Sequence, residues 1–417
     1  MKTRFSKGIL TVFALAGVLS ADALPLAHTV RYAQGRREAV IRYSLDAAAV
    51  VTFDVQTNGV SIGAAHLTTV TGDVFKELPA GDGYTIRWNC HADWPGHVVK
   101  GGALEFVVYA WALSDKPDYM VVDLNALKPD CVRYYPGVEW LPGGLLANDV
   151  YRTTSIVMRR IHARNWKWAM GGSDSLSYPV TLTNDYYIGV FETTQCQWTN
   201  VFGTSVSAQR PGAMRPMENV SYWRIREDGA NSAANPEHEW PNPPAPDSYL
   251  GLLRERTGVD FDLPSEAEWE FAGNAGMAIG YYNTGDCYKS YKVPGRWKDN
   301  GGSSEGTADV GSYEPNAFGL YDFHGNVAEL CLDWCVGTAT SLTVLYDDIS
   351  TLYGAVNANG AYLADGVTPP PAGRVRRGNT YNQGGGSNQS LFIRKSMVPR
   401  NTDQAVGFRL RCRMGLR

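Results

Sequence analysis

At 417 residues with a formal net charge of -4, the chain is long enough for two domains and carries no polyelectrolyte excess. Its Lys and Arg residues are scattered without a basic run, which excludes nucleic acid as the expected partner. An aromatic share of 12% beside 44 Gly suits either a loop-rich fold that buries rings under irregular backbone or a surface that grips sugars or peptides.

The first stretch carries Lys2, Arg4 and Lys7, then an apolar run over 8–19, then Ala21-Asp22-Ala23. This pattern reads as a secretory signal peptide over 1–23, cleaved after Ala23. A membrane anchor would need about twenty apolar residues, and no later segment offers them, so the expected location is secreted, periplasmic or cell surface. All of Cys90, Cys131, Cys196, Cys287, Cys331, Cys335 and Cys412 lie in the part beyond the signal, where disulfides are permitted. Their odd number leaves at least one unpaired, and spacing does not give the pairing. Cys331 and Cys335 lack nearby His or Cys partners, so structural zinc is not expected.

Residues 24–118 read as an all-β accessory domain, an immunoglobulin- or fibronectin-like sandwich, because short apolar segments alternate with turns. Asn58-Gly59 marks the clearest hairpin. Before it, Val51, Phe53 and Val55 alternate with Thr52, Asp54 and Gln56, the pattern of a strand buried on one face. His91, Trp94 and His97 near Cys90 read as loop packing and not as a metal site. Residues 119–154 form a turn-rich junction, and the β-branched run from Thr153 to His162 opens the sheet of a second domain, 155–417.

Within that domain, helices are expected at Ser265–Gly273, where Ser265 and Glu268 fit a capping box, and around Cys196. The Pro-rich stretch from Asn235 to Asp247 reads as an exposed insertion, and Asp299–Gly306 as a loop able to hold a cation. From Ser312 to Cys335 turn residues, aromatics and carboxylates alternate too closely for a regular element. Pro315-Asn316 and Gly325-Asn326 are turn dipeptides, while Phe318, Leu320, Tyr321, Phe323 and Leu330 seek a core. Irregular backbone so placed must still satisfy its amides and carbonyls. A hard cation taking oxygen from Asp322, Glu329 and the carbonyls between them is one device; two plain surface carboxylates are the other reading.

The run P-N-A-F-G-L-Y-D-F-H-G-N-V-A-E-L-C-L-D-W, ending at Trp334, closely resembles the signature of the formylglycine-generating enzyme (sulfatase-modifying factor) family. Four further segments agree in order and spacing: Trp168 to Trp198, Met217 to Trp223, Leu263 to Ala272, and Arg374 to Leu410. The resemblance covers about residues 155 to 413. It implies an α+β, C-type-lectin-like domain with little regular secondary structure. It also implies calcium as a cofactor, held by Asp322, the carbonyls of Gly325 and Val327, and Glu329.

The family's enzymes convert a peptide cysteine to formylglycine using two cysteines that carry copper(I), placed between an R-R-G motif and the final G-F-R. Here that interval, 378–407, contains no cysteine, so copper is not expected and the catalytic pair is missing. Other chemistries fare no better: His324 reads as a turn residue, and no clustered three-histidine iron site is present. Glu266, Glu268 and Glu270 have acid/base character but read as capping and solvating a helix beside buried Trp269. What remains is a polar loop, Asn379 to Gln389, on the face where the family binds substrate. Asn379, Tyr381, Asn382, Asn388, Gln389 and Arg394 are its candidate ligand residues, since amides and hydroxyls satisfy carbonyls and sugar hydroxyls alike.

The expectation is therefore an exported, non-catalytic binding or scaffolding protein whose ligand is a peptide, protein or carbohydrate, a sulfatase included. Two alternatives stay open. One is an active formylglycine-generating or related oxidoreductase with an atypical site; the other is a diversified ligand-binding protein of a retroelement system, whose variable proteins share this fold.

Overall fold

The computed structural model of the chain describes residues 25–35, 37–97, 104–170, 178–207, 210–232, 235–240, 242–275, 295–335, 373–384, 391 and 394–414. The expected signal peptide, 1–23, lies outside them. The chain is mixed α/β and sheet-rich, and it divides into two compact units. One runs to Val121 and takes in Val132–Asn148; the other takes Val122–Cys131 and Asp149–Met414. Segment 122–131 joins the second unit because its hydrogen bonds go there: Leu124 N–H donates to Thr154 O at 2.8 Å and Lys128 Nζ to Glu255 O at 2.7 Å.

The first unit contains β1 (Ala27–Gln34), β2 (Ala39–Leu45), β3 (Ala49–Thr57), β4 (Val60–Ser61), β5 (Thr71–Gly72), β6 (Lys76–Leu78), β7 (Gly81–Trp88), the short helix α1 (Cys90–Asp93) and β8 (Leu104–Trp111). One antiparallel sheet has the order β1-β2-β7-β5, and in the other β3 pairs with β4, β6 and β8. Phe106 of β8 joins them, with ring centroids 4.7 Å from Tyr32 of β1, 6.2 Å from Trp88 of β7 and 6.2 Å from Phe53 of β3. The β3–β4 hairpin turns at Asn58 and Gly59, both with positive φ (53° and 75°), the conformation that Asn-Gly adopts at least cost. The expectation that β3 is buried on one face is corrected: Thr52 and Asp54 are buried as well. Their polar atoms are satisfied locally, Thr52 Oγ1 accepting from Trp111 Nε1 at 2.8 Å and Asp54 from the Ser61 hydroxyl at 2.8 Å, so burial leaves no orphaned group.

β9 (Tyr119–Asp123) runs through the division between units, and β10 (Val132–Tyr135) belongs to the first. The second unit continues with β11 (Ser155–Ile161), β12 (Trp166–Met170), β13 (Tyr178–Leu182), β14 (Tyr186–Gly189), α2 (Gln195–Phe202), α3 (Tyr249–Thr257), β15 (Phe261–Asp262), α4 (Glu266–Gly273), α5 (Gly302–Glu305), β16 (Ala328–Cys335), β17 (Gly373–Arg377), β18 (Lys395–Met397), β19 (Val406–Gly407) and β20 (Arg411–Arg413). β11, β14, β20 and β15 lie side by side, β12 and β13 form a hairpin, and β18-β17-β16-β19 make a third sheet in which β16 and β19 are parallel. Both expected helices form with reciprocal capping boxes, Thr194 with Gln197 on α2 and Ser265 with Glu268 on α4. Trp198 of α2 stacks on Tyr249 of α3 at 4.7 Å and meets Phe408 edge-on, which anchors the core.

The Pro-rich stretch is not a plain exposed insertion. Trp240 and Ala245 are buried, and the buried Arg226 guanidinium donates to the carbonyls of His238 and Asn242 while pairing with Asp262 at 3.0 Å. The stretch Asp299–Gly306 likewise closes around a cation already in the chain. Arg296 donates to Asn300 O at 2.8 Å, Gly306 O at 2.9 Å and Glu305 Oε2 at 2.8 Å.

Candidate functional site

Asn316 shapes the central loop. Its Oδ1 accepts from the Phe318 and Leu320 N–H groups at 3.0 and 3.1 Å, and its Nδ2 donates to the Ala272 and Gly273 carbonyls at 2.8 and 3.1 Å. One side chain thus closes the turn and supplies donors to the last carbonyls of α4, where Ala272 O also accepts from Ala275 N–H at 3.1 Å. Beyond it the backbone turns left-handed at Asp322 (φ 61°), Gly325 (81°) and Asn326 (56°). Gly325 is required, since a Cβ there would lie 2.3 Å from the Arg296 carbonyl oxygen.

These turns bring three buried carboxylates around one buried guanidinium. Glu329, at the start of β16, accepts from Arg409 Nη2 on Oε1 at 2.6 Å, and from Arg409 Nε and Trp269 Nε1 on Oε2 at 2.6 and 2.7 Å. Arg409 also donates to the carbonyls of Tyr321 and Gly189 and lies 3.8 Å over the Phe323 ring. Glu192, which follows β14, accepts from Val327 N–H at 3.1 Å and Asn326 Nδ2 at 2.7 Å. Asp322 accepts from Gly311 N–H on Oδ2 at 2.7 Å, while its Oδ1 is buried with no hydrogen-bond partner.

Burial, reinforced by the charges of Asp322 and Glu329, pushes the Glu192 carboxyl well above the ordinary range. Burial also pushes Asp322 up to about 6, the Gly311 N–H and Arg409 pulling against it and Glu329 adding to it. A single guanidinium neutralises one of these carboxylates, so the cluster holds either a proton or a further cation.

A hard cation fits this cradle at Asp322, whose unpartnered Oδ1 lacks the donor that buried oxygens normally have. Glu329 is more committed, because three of its roughly four acceptor sites go to Arg409 and Trp269. Among the described residues no group of three His, Cys, Asp or Glu side chains is disposed to share a metal. An ion here would therefore lean on backbone carbonyls such as those of Gly325 and Val327. It would supply a structural staple for irregular backbone.

The helix α4 glutamates correct a further expectation. Glu266, Glu268 and Glu270 are buried, not solvated. Arg377 pairs with Glu266 at 3.1 Å and with Glu270, Arg394 pairs with Glu266, and Arg411 with Glu268 at 2.5 Å. Each buried carboxylate therefore has its guanidinium, which is what burial demands. Both Glu192 and Arg409 escaped the sequence reading; their only signal was position, just before a helix and in the final G-F-R.

Of the candidate ligand residues, Asn379 and Tyr381 are buried, Asn382 is exposed, and Arg394 is engaged by Glu266. Asn379 Oδ1 has no hydrogen-bond partner, and Tyr381 N–H donates to Asn326 O at 2.8 Å, tying this loop to the carboxylate cradle. Asn388 and Gln389 lie outside the described residues. His324 is buried in the loop. The Cys331 thiol is fully buried, and burial, then Asp333 and Glu266, pushes it well above its ordinary range, so it is not poised as a nucleophile.

The sequence matches the sulfatase-modifying factor enzyme 1-like domain over residues 126–413. It is 28% identical over 189 residues to the chaperone protein LppX of Paenibacillus barcinonensis, covering 37% of this chain and 64% of that one. It is 38% identical over 115 residues to the formylglycine-generating enzyme of Streptomyces coelicolor, covering 24% and 36%. The chain thus spans less than two thirds of the length of these relatives. Among solved structures, Treponema denticola variable protein 1 aligns at 25% identity over 62% of this chain and 96% of that one, with a TM-score of 0.41.

Proposed function

The chain belongs to the sulfatase-modifying factor enzyme 1-like family, and from that premise we propose that it is an exported, non-catalytic member that binds or scaffolds a peptide, protein or carbohydrate. In this reading residues 24–118 are an immunoglobulin-like sandwich, 119–154 a junction, and 155–417 a C-type-lectin-like domain. The ligand face surrounds residues 379–389, with Asn382 exposed on it. Similarity to a protein named a chaperone accords with a protein ligand. Calcium is the expected ion, held by Asp322, Glu329 and the carbonyls of Gly325 and Val327. The unpartnered buried Oδ1 of Asp322 supports it.

One observation carries the non-catalytic reading: the interval 378–407 contains no cysteine. Copper(I) needs soft donors, and this interval offers hard oxygens, amides and one thioether, Met397, which is buried in β18. The test is mass spectrometry of a C-x-P-x-R peptide incubated in air with copper-loaded protein. The peptide is expected to keep its sulfur. Formation of formylglycine above a no-protein control, lost on mutating Cys331 or Cys335, would restore the oxidoreductase reading.

A further inference from the structure

The outward face of the β1-β2-β7-β5 sheet carries an arrangement that folding by itself disfavours. Arg31 of β1 and Arg42 of β2 stand directly opposite one another in the antiparallel register, and both are exposed. Like charges so placed destabilise a strand pair. Elsewhere the chain pairs its arginines with carboxylates, as at Arg160, Arg226, Arg254, Arg374, Arg377, Arg409 and Arg411. Among the described residues, Arg31 and Arg42 form no such pair. Arg87 of β7 extends the row, since Arg42 faces Thr85 and Arg87 lies two residues further along the same face. Its partner is Glu38 at 3.3 Å, with both side chains about half exposed, a pair of little strength that an incoming anion exchanges easily.

We infer that this face binds an anionic polysaccharide through its sulfate or carboxylate groups. Guanidinium groups recognise such oxyanions with paired, charge-assisted hydrogen bonds, and a bound anion between Arg31 and Arg42 turns their repulsion into attraction. The surroundings favour a glycan over other polyanions. The residues between the arginines are Ala33, Val40 and Thr85, too small for the aromatic or large apolar anchor of a protein interface. They also offer no ring on which nucleic acid bases could stack. A strip of small side chains with recurring cations suits an extended polymer with recurring charge. Because the whole chain is at -4, attraction is local and falls with salt.

The test uses the full chain, with heparin as the sulfated probe, polygalacturonate as the uronate probe, and polyglutamate and duplex DNA as charge-matched comparators. Binding to either glycan is expected, weakening with salt and falling about tenfold in Arg31→Thr/Arg42→Thr. The same variant, without ligand, is expected to melt higher than the wild type, because the repulsion is gone. A role in folding alone would move the melt the other way. Binding to polyglutamate or DNA as tight as to the glycans, or glycan binding that survives the double substitution, overturns the inference. So does a lower melting temperature in the double variant.

Discussion

At the scale of single residues, the buried arginines and their carboxylates decide the chemistry of this chain. Glu329 receives three donors and Asp322 one, so the two carboxylates of the central loop are not equivalent despite matching types and near-equal burial. Asp185 shows the same principle in a titratable form. Burial pushes its carboxyl up, but hydrogen bonds from His162, Arg160 and the Arg164 N–H more than offset this and leave it well below the ordinary range. Arg160 Nη2 lies 2.7 Å from Oδ2, and the N–H groups of Ala163 and Arg164 reach Oδ1 at 3.0 and 2.9 Å. A depressed folded pKa means that the stabilisation is complete above the unfolded value and is lost as pH falls through the folded one. Asp185→Asn is therefore expected to cost about 3 kcal/mol at pH 7, since it removes the carboxylate charge that the buried Arg160 guanidinium faces at 2.7 Å. The difference in melting temperature from wild type should shrink steadily below pH 4. A gap that stays constant down to pH 2 would show that packing, and not charge, holds this corner.

At the scale of elements, helix α4 is held at both ends by side chains whose partners differ in reach. At its start the Ser265 hydroxyl accepts from Glu268 N–H at 3.0 Å, and Glu268 Oε2 accepts in turn from Ser265 N–H at 2.9 Å. At its end Asn316, more than forty residues away in sequence, donates to the last carbonyls. Ser265→Ala is expected to cost about 1 kcal/mol, the usual value of a cap. Asn316→Ala removes donors from α4 and the acceptor for two loop amides, and is expected to cost roughly 3 kcal/mol. Urea midpoints should fall in that order with unchanged slope; equal midpoints would deny Asn316 its double role. Legibility follows the same line. The Ser265/Glu268 box was readable because its partners are three residues apart. The function of Asn316 was not, although its turn was.

At the scale of the whole molecule, the two units give calcium a specific signature. An ion bound only by the folded second unit stabilises that unit by mass action. Chelator is expected to lower the melting transition of the unit holding Asp322 and leave that of the β-sheet unit in place. Asp322→Ala should abolish the chelator effect. Calorimetry of calcium-loaded protein before and after chelation reads both transitions; an unchanged trace, with elemental analysis showing the ion removed, would dispose of the site. Whatever its occupancy, the cradle gathers α4, β16, the segment after β14 and the segment between β19 and β20, through Trp269, Glu329, Glu192 and Arg409.

The sequence alone determined the features that depend on near neighbours: the Asn58-Gly59 hairpin with its two positive φ angles, the Ser265/Glu268 cap of α4, the Gly325-Asn326 turn of the central loop, and the family through its contiguous signature. Periodicity and capping act over a few residues, so they are written locally. Only the tertiary structure decided which charged groups go inside. Thr52 and Asp54 are inside with partners on other strands, Trp111 and Ser61, and the α4 glutamates with arginines more than a hundred residues later. Asn326 and Glu192 meet across 134 positions, and Arg409 and Glu329 across 80. A carboxylate is stable inside only with such a partner. The identity of that partner is a property of the folded chain and not of any stretch of it.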